Sequence, residues 1–460
     1  MQLTKYKEGS VQELWKISFP LMLSSFSVMF MLFIDRLLLA QYSLDAVNAA
    51  VNATTIGWAC LFGWIVLCGI SEVFVAQYNG ANQFDKLGSP VWQMIWLSLL
   101  SFFWFIPLGI WGGNLIFSYS DFSHYEKEYF KWMMFFSPSY PLYAALCGFF
   151  IGRGKTSLVT GLTIVANIVN AFLDAILIFG IPGWIPSLGV KGAAIATSAT
   201  GMLQAIILFF VFLKPIYQNK FATLNYRFNK PLFMQCLKIG LPNAIFCVVE
   251  TIGFAVFYAL MTRLGKEYIT IAGINQSIMI LFFFFAEGLS KGATTIVGNL
   301  IGANKNHFVS KVITSGIKLH FIFFLIISSF FYFFADFLLN LFIPQNDSYT
   351  FFQYRNALFT SLVFMSAFLL FDGIRLLLAG VLTAAGDTVF LFLAGSGTVW
   401  LLFVLPTYFF IYIPKAPVEM ASVLCFIYGI LSCFIYLYRF LSDSWKKKQI
   451  ILEKVSVSEK

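Results

Sequence analysis

The sequence predicts an all-α polytopic membrane protein of about twelve transmembrane helices, arranged as two six-helix parallel repeats. Three observations support this prediction: apolar blocks of span length along the whole chain, few charged residues, and short motifs that recur at a fixed offset. Of the 460 residues, 59% are hydrophobic and 11% are charged. Soluble domains carry about 25% charged residues, so this chain cannot cover an ordinary aqueous surface. A lipid bilayer is its expected surrounding.

Each apolar block is long enough to cross that bilayer. A hydrocarbon core about 30 Å thick needs about 20 helical residues, because an α-helix rises about 1.5 Å per residue. The first block is too long for a signal-peptide core and lacks a small-residue cleavage site, so we interpret it as a retained span. We expect spans near residues 14–39, 54–76, 92–117, 129–151, 158–180, 190–213, 238–262, 269–298, 312–343, 356–382, 389–413 and 418–440.

The basic residues indicate how the spans are oriented. The formal net charge is +9, and most Lys and Arg residues outside the spans lie at the termini and in the loops that follow even-numbered spans. Cytoplasmic loops carry the excess of Lys and Arg, so we expect both termini to face the cytoplasm from a plasma or inner membrane. The basic Trp445–Lys448 segment is then a topology anchor, and no nucleic-acid partner is expected.

Short motifs recur along the chain and predict an internal duplication. Lys16–Pro20 reappears as Lys238–Pro242, and Gly80–Asn82 reappears at the same offset as Gly302–Asn304. Gly154-Lys-Thr156 reappears as Gly386-Asp-Thr388 at an offset about ten residues longer. Six spans in each copy make the repeats parallel, an arrangement suited to alternating access. The predicted organisation is a first lobe at 1–213, a basic linker at 214–237, a second lobe at 238–440 and a tail at 441–460.

No motif indicates a metal, a disulfide framework or ATP. The seven Cys residues form no CxxC pair and the three His residues form no cluster, so no cofactor is expected. Gly152–Thr156 superficially resembles the end of a phosphate-binding loop. The first Gly of that motif would fall at Phe149, and no strand precedes it, so we exclude an ATPase.

Charged groups inside the spans are costly, and each is a candidate functional residue. In the first half, Asp35 lies deep in an apolar helix, where a carboxyl takes up a proton near neutral pH or collects a desolvated cation. Asn170 and Asp174 are four residues apart and share a helix face. Thr197 adds a hydroxyl. These four residues predict either a hard-cation or proton site, or a structural cluster that holds three helices together.

The second half carries its own intramembrane charges. Glu250 has no basic residue near it in the sequence and is a candidate functional acid. Glu287 with Lys291, and Asp372 with Arg375, are each spaced to pair within one helix. That spacing favours a structural ion pair for Glu287, and leaves Asp372 open between a structural and a functional role.

Two further charged residues lie in the first half. Glu72 is expected near the membrane interface. Arg36 follows Asp35 directly, but adjacent helical residues point about 100° apart, so we do not expect these two side chains to pair. The sequence leaves open whether Arg36 faces another acid or extends towards the interface.

The motifs taken together resemble the multidrug and toxic compound extrusion family over nearly the whole chain. The first half carries Phe19-Pro20 with Asp35 and Asn170 with Asp174. The other matching motifs are Glu13-Leu-Trp-Lys16, Ala76-Gln-Tyr-Asn-Gly-Ala81, Leu188-Gly-Val-Lys-Gly-Ala-Ala-Ile-Ala-Thr197, Gly240-Leu-Pro242 with Glu250, and Val297-Gly-Asn-Leu-Ile-Gly-Ala303.

The resemblance implies a twelve-helix, two-lobed exporter that exchanges organic cations outward for protons or sodium ions. By resemblance, the family's ion-coupling roles fall on Asp35, Asn170, Asp174 and Thr197. Its second-lobe acids correspond to Glu250 and Asp372, and Glu287 is a further candidate there. A monomer in the bilayer is the default expectation.

Three other functions are alternatives to the exporter: a channel, a flippase, and an intramembrane enzyme or scaffold. A channel is the alternative for the architecture, but symmetric lobes with buried acids in both favour a transporter. A flippase for a lipid-linked or anionic precursor would need a net positive cavity, and such proteins often have fourteen spans. An intramembrane enzyme or scaffold would need a catalytic cluster, and the sequence has none, so we expect no enzymatic activity.

Overall fold

The computed structural model describes residues 3–342 and 348–448. The expected ninth span ends at residue 343, which lies outside the described residues. The same holds for residues 1–2 of the expected first lobe and for residues 449–460 of the expected tail.

The described chain is almost entirely helical, and the all-α prediction is confirmed. Ten helices are long and apolar enough to cross a membrane, and two bent pairs bring the number to twelve when each pair forms one span. In chain order they are α1 Val11–Tyr42, α2 Leu44–Gly80, α3 Phe84–Ile116, α4 Ser123–Phe136 with Ser139–Gly152, α5 Thr156–Phe179, α6 Val190–Phe212, α7 Lys230–Leu264, α8 Lys266–Ile280 with Phe282–Gly302, α9 Asn306–Phe334, α10 Arg355–Ala384, α11 Thr388–Tyr412 and α12 Glu419–Leu441. We call α1–α6 the first half and α7–α12 the second half.

Local chemistry explains where these helices begin and bend. The Ser10 side chain accepts a hydrogen bond from the backbone N–H of Glu13 at 3.2 Å, and Asn229 caps α7 in the same way. The 41° bend in α4 falls at Pro138, which has no backbone N–H to continue the helix. Helices α1 and α7 continue through Pro20 and Pro242, in keeping with a role in helix shape.

Packing places four helices at the junction between the halves. In the first half, α1 packs on α5, α5 on α6, and α4 on both α2 and α6. In the second half, α10 packs on α8, α9 and α12, and α7 packs on α11. Across the junction, α1 and α2 pack on α8, and α2 packs on α7. The lobe boundaries at 213 and 238 stay a prediction.

The repeated Gly-Ala-Asn motifs meet at this junction. A Cβ atom at Gly80 would overlap the backbone carbonyl of Asn299, and a Cβ atom at Gly302 would overlap that of Gln77. Gln77 and Asn299 stand at the same position of the two repeats, three residues before their glycines. The contact is therefore reciprocal. We call Gly80, Gly302, Gln77 and Asn299 the glycine crossing.

Side-chain hydrogen bonds repeat the same symmetry. Gln77 Nε2 donates to the backbone oxygen of Ala384 at 2.7 Å, and Asn299 Nδ2 donates to that of Gly152 at 2.8 Å. These carbonyls lie at the ends of α10 and α4, where a helix has no partner of its own for them. Each half thus satisfies a helix end of the other half, at equivalent positions of the two repeats.

Candidate functional site

Helices α1, α5 and α6 bring together the four residues predicted to form the ion site. Asn170 Nδ2 lies 3.3 Å from Thr197 Oγ1, and Thr197 Oγ1 donates to Asp35 Oδ2 at 3.2 Å. Asp35 is 6% exposed, and Asn170 and Asp174 are fully buried. The four-residue spacing puts Asn170 and Asp174 on the face of α5 that packs towards α1 and α6. We call these residues the first-half cluster.

Most oxygen atoms of the first-half cluster have no hydrogen-bond donor. They are Asp35 Oδ1, Asn170 Oδ1 and both carboxylate oxygens of Asp174. The two carboxyl groups lie within hydrogen-bonding reach of each other. Two buried acids this close cannot both be charged without a cation between them. The arrangement fits a shared proton or a hard cation, which binds oxygen ligands.

Two tyrosines beside this cluster were not predicted. Tyr129 and Tyr140, both on α4, lie within electrostatic range of Asp35. Their sequence surroundings gave no signal, because only tertiary packing brings α4 against α2 and α6. Arg36 is exposed, which agrees with its expected direction away from Asp35.

The predicted acids Glu250 and Asp372 meet in the second half, on α7 and α10. Arg375 joins them: its Nε donates to Asp372 Oδ1 at 2.7 Å and its Nη2 donates to Glu250 Oε1 at 3.0 Å. The Arg375 side chain is 4% exposed. We call Glu250, Asp372 and Arg375 the second-half triad. Its formal charge is one negative unit.

The triad corrects one sequence inference and confirms another. The pairing of Asp372 with Arg375 follows from their spacing, as predicted. Glu250 has a buried cationic partner after all, because Arg375 reaches it from another helix. Tyr428 and Tyr436 on α12 surround the guanidinium, whose carbon lies 5.8 Å from the centre of the Tyr436 ring.

Glu287 belongs to neither cluster. It pairs with Lys291 at 2.7 Å, as its spacing predicts, and the two side chains are 32% and 49% exposed. One turn further along α8, Thr295 donates to Glu72 of α2 at 2.9 Å. Glu72 therefore faces the second half across the junction, a contact that the sequence did not predict.

No group of His, Cys, Asp and Glu in the described residues has the arrangement of a transition-metal site. The donors of the first-half cluster are oxygens alone, which suits a proton or an alkali cation and not zinc.

The helices define a polytopic membrane protein with charged groups buried inside its spans. The family model described as MatE matches residues 20–176 and 242–409, well over half of the chain. The chain belongs to the MatE family, as its motifs indicated. The two matches begin at Pro20 and Pro242, the proline pair of the repeat.

Several relatives are similar in sequence. A probable multidrug resistance protein NorM of Thermotoga maritima is 26% identical over 66% of this chain and 66% of its own length. Its counterpart in Pasteurella multocida is 26% identical over 63% and 64%. These matches span slightly under two thirds of the two relatives. A NorM of Photorhabdus laumondii is 24% identical over 91% of this chain and 92% of its own length.

Solved structures share the fold. A MOP superfamily transporter from Pyrococcus furiosus superposes with a TM-score of 0.84 at 16% identity, covering 98% of this chain and 100% of its own. The eukaryotic MATE transporter AtDTX14 superposes with a TM-score of 0.82 at 17% identity, covering 95% and 96%. At these identities the likeness establishes the fold alone.

Proposed function

We propose that this protein exports organic cations in exchange for inward-moving protons or sodium ions. The observation that supports this proposal is the first-half cluster: two buried carboxyl groups within hydrogen-bonding reach of each other, and three carboxyl oxygens and the Asn170 amide oxygen that lack a donor. Such a pair is stable only with a proton or cation bound, so it responds to the concentration of that ion. The relatives named as multidrug resistance proteins are consistent with this function.

The coupling roles fall on the residues that the sequence indicated. Asp35 and Asp174 take the proton or sodium ion, Asn170 supplies an amide oxygen, and Thr197 orients the Asp35 carboxyl through their hydrogen bond. No other cofactor is required. Coupling arises only if the ion and the substrate prefer different conformations, because equal affinity for both shifts nothing.

The second half supplies charge for recognition of the substrate. The triad keeps one negative charge after Arg375 has neutralised one acid, so Glu250 and Asp372 still attract an organic cation. Glu287 is a further candidate contact, because it is part-exposed next to the junction. Movement of the lobes 1–213 and 238–440 about their junction would expose these groups alternately, with both termini in the cytoplasm and the protein a monomer.

A flippase for an anionic or lipid-linked precursor is the second candidate. It is favoured by the buried Arg375 and the part-exposed Lys291, which are cations on spans of the second half. Each, however, already contacts an acid, and with Glu72 the acids outnumber the bases among these groups. An organic cation is therefore the better match to the summed charge.

Proteoliposomes of known orientation test both candidates. Vesicles that contain the purified protein are loaded with ethidium. Efflux of ethidium is recorded under a proton gradient and, separately, under a sodium gradient. We expect efflux that one of the two gradients accelerates, which also identifies the coupling ion. Absence of acceleration under both gradients would reject the cation exporter. Uptake of a fluorescent anionic lipid analogue under the same gradients would then favour the flippase.

A further inference from the structure

The second half contains a cavity that plays no part in the coupling scheme above. It lies between α7, α8, α10, α11 and α12 and measures about 30 Å³. One buried water needs roughly 10–15 Å³ of such space, so the cavity holds a group of about two to three heavy atoms. A fused aromatic ring system does not fit.

Aromatic rings form most of its wall. The Phe403 ring centre lies 4.8 Å from that of Phe257 and 5.2 Å from that of Phe254. Phe368 on α10 and Tyr258 on α7 also line the space. Ring faces attract cations, and the attraction grows where water is excluded. The wall therefore favours a small cation over a neutral polar group.

One polar side chain in the wall lacks a partner. Asn275 is 5% exposed, and its Nδ2 lies 3.4 Å from Ser422 Oγ. Its Oδ1 accepts no hydrogen bond. A buried amide oxygen without a donor is costly and calls for an occupant that supplies one. The N–H group of a cation supplies this donor, and its positive charge suits the aromatic wall.

The second-half triad lies one helical turn from the cavity. Phe254 follows Glu250 by four residues on α7, and Phe368 precedes Asp372 by four residues on α10. The Tyr428 ring packs on Phe403 with 5.4 Å between ring centres, and its phenol lies within electrostatic range of the triad. The net negative charge of the triad adds to the attraction for a cation in the cavity.

We propose that this cavity binds the ammonium end of a primary alkylamine. Its N–H donates to Asn275 Oδ1, and its charge lies against the faces of Phe257 and Phe403. The inference deepens the proposed export of organic cations by assigning linear amines as one substrate class. Binding at this site is nevertheless a property that can be measured without transport.

Equilibrium binding of radiolabelled ethylammonium to the full-length protein in lipid nanodiscs tests the proposal. Asn275→Leu removes the acceptor, and Ala272→Leu, which leaves Asn275 in place, fills the cavity. We expect Asn275→Leu to weaken binding about tenfold or more, the loss expected for a hydrogen bond to a charged group. Ala272→Leu should weaken binding at least as much, because its side chain occupies the space. Size-exclusion profiles and melting temperatures confirm that each variant is folded.

Asn167→Leu is the matched control. Asn167 is a buried amide bonded to a serine, with 2.7 Å between its Nδ2 and Ser27 Oγ, but it lies in the first half. Its substitution should leave ethylammonium binding within about twofold, because distant sites act independently. No saturable binding by the unmodified protein, or equal affinity in folded Asn275→Leu and Ala272→Leu variants, would overturn the assignment.

Ethidium efflux measured on the same preparations separates the two proposals. Saturable ethylammonium binding without gradient-driven efflux would support the cavity and reject the exporter. Efflux without ethylammonium binding would reject the cavity and leave the exporter standing.

Discussion

The two halves of the molecule bury acidic groups in opposite ways. In the first half, Asp35 and Asp174 lie within hydrogen-bonding reach of each other and leave oxygen atoms without donors. In the second half, the Arg375 guanidinium is hydrogen-bonded to both Glu250 and Asp372. A buried charge needs a counter-charge. In the second half a side chain of the protein supplies it, and in the first half an exchangeable ion would have to. A covalently attached cation stays, whereas a proton or sodium ion comes and goes. We therefore assign the proposed ion exchange to the first half.

The largest expected effect comes from removing the attached cation. Arg375→Met leaves Glu250 and Asp372 buried without a base, and we expect the free energy of unfolding to fall by about 3–5 kcal/mol. Thermal unfolding in nanodiscs measures the change. Arg355→Met is the control: its pair with Asp336 is exposed, and its loss should hardly change the melting temperature.

The same variant also tests whether an added cation can take the place of the Arg375 guanidinium. Without Arg375 the second half resembles the first, so added sodium chloride should raise the melting temperature of Arg375→Met more than choline chloride does. An Arg375→Met variant as stable as the parent, with no response to sodium, would contradict the counter-ion role of Arg375.

Asp174→Asn should have the reverse profile. It removes a carboxylate with no donor, so stability should hold or rise while gradient-driven ethidium efflux falls about 100-fold, near the upper end of typical coupling free energies. Asp35→Asn should behave alike. The control is Asp45→Asn, an exposed position at the start of α2. Unchanged efflux in both variants at normal expression would remove the coupling role from the first-half cluster.

Substitutions on the two sides of the glycine crossing should lower the stability of the protein by similar amounts. Gly80→Ala and Gly302→Ala each force a Cβ atom against a backbone carbonyl. We expect this overpacking to lower the free energy of unfolding by about 1–3 kcal/mol. Gly161→Ala, whose Cβ would meet no atom within 4 Å, is the control and should be neutral or stabilising. Melting temperatures compare the three. A marked difference between the two crossing variants would show that the reciprocal contact is not energetically symmetric.

The smallest effect is expected at Glu287. Its pair with Lys291 is part-exposed, and such pairs contribute about 0–1 kcal/mol. Glu287→Gln should therefore leave the melting temperature nearly unchanged and raise the KM for ethidium by less than about threefold. Glu8→Gln, which breaks the ion pair with Lys305 near the N-terminus, serves as a control for charge alone. A tenfold rise in KM would make Glu287 a principal substrate contact.

The sequence predicts the helices well because bilayer thickness sets their minimum length. The expected span at 54–76 lies within α2, which runs from Leu44 to Gly80, and the span at 238–262 lies within α7, from Lys230 to Leu264. These two helices are longer than predicted. Hydropathy detects only the hydrocarbon core, whereas backbone hydrogen bonding continues into the polar region beyond it.

Site residues were predictable where the contact is local in sequence. The spacing of Asn170 with Asp174 and of Asp372 with Arg375 places each pair on one helix face. The contact of Arg375 with Glu250 joins helices far apart in the chain, and helical periodicity contains no information about it. The resemblance, in turn, implied roles for particular acids but not how each is neutralised.

The reciprocal contact at the glycine crossing has the geometry of a two-fold dimer interface. The same surface patch meets its own copy, as in isologous association of identical subunits. A protein of six spans would make this contact with a second molecule of itself, and joining two genes would preserve it. We therefore expect residues 1–213 and 238–440, produced as separate chains, to associate through this interface in the membrane.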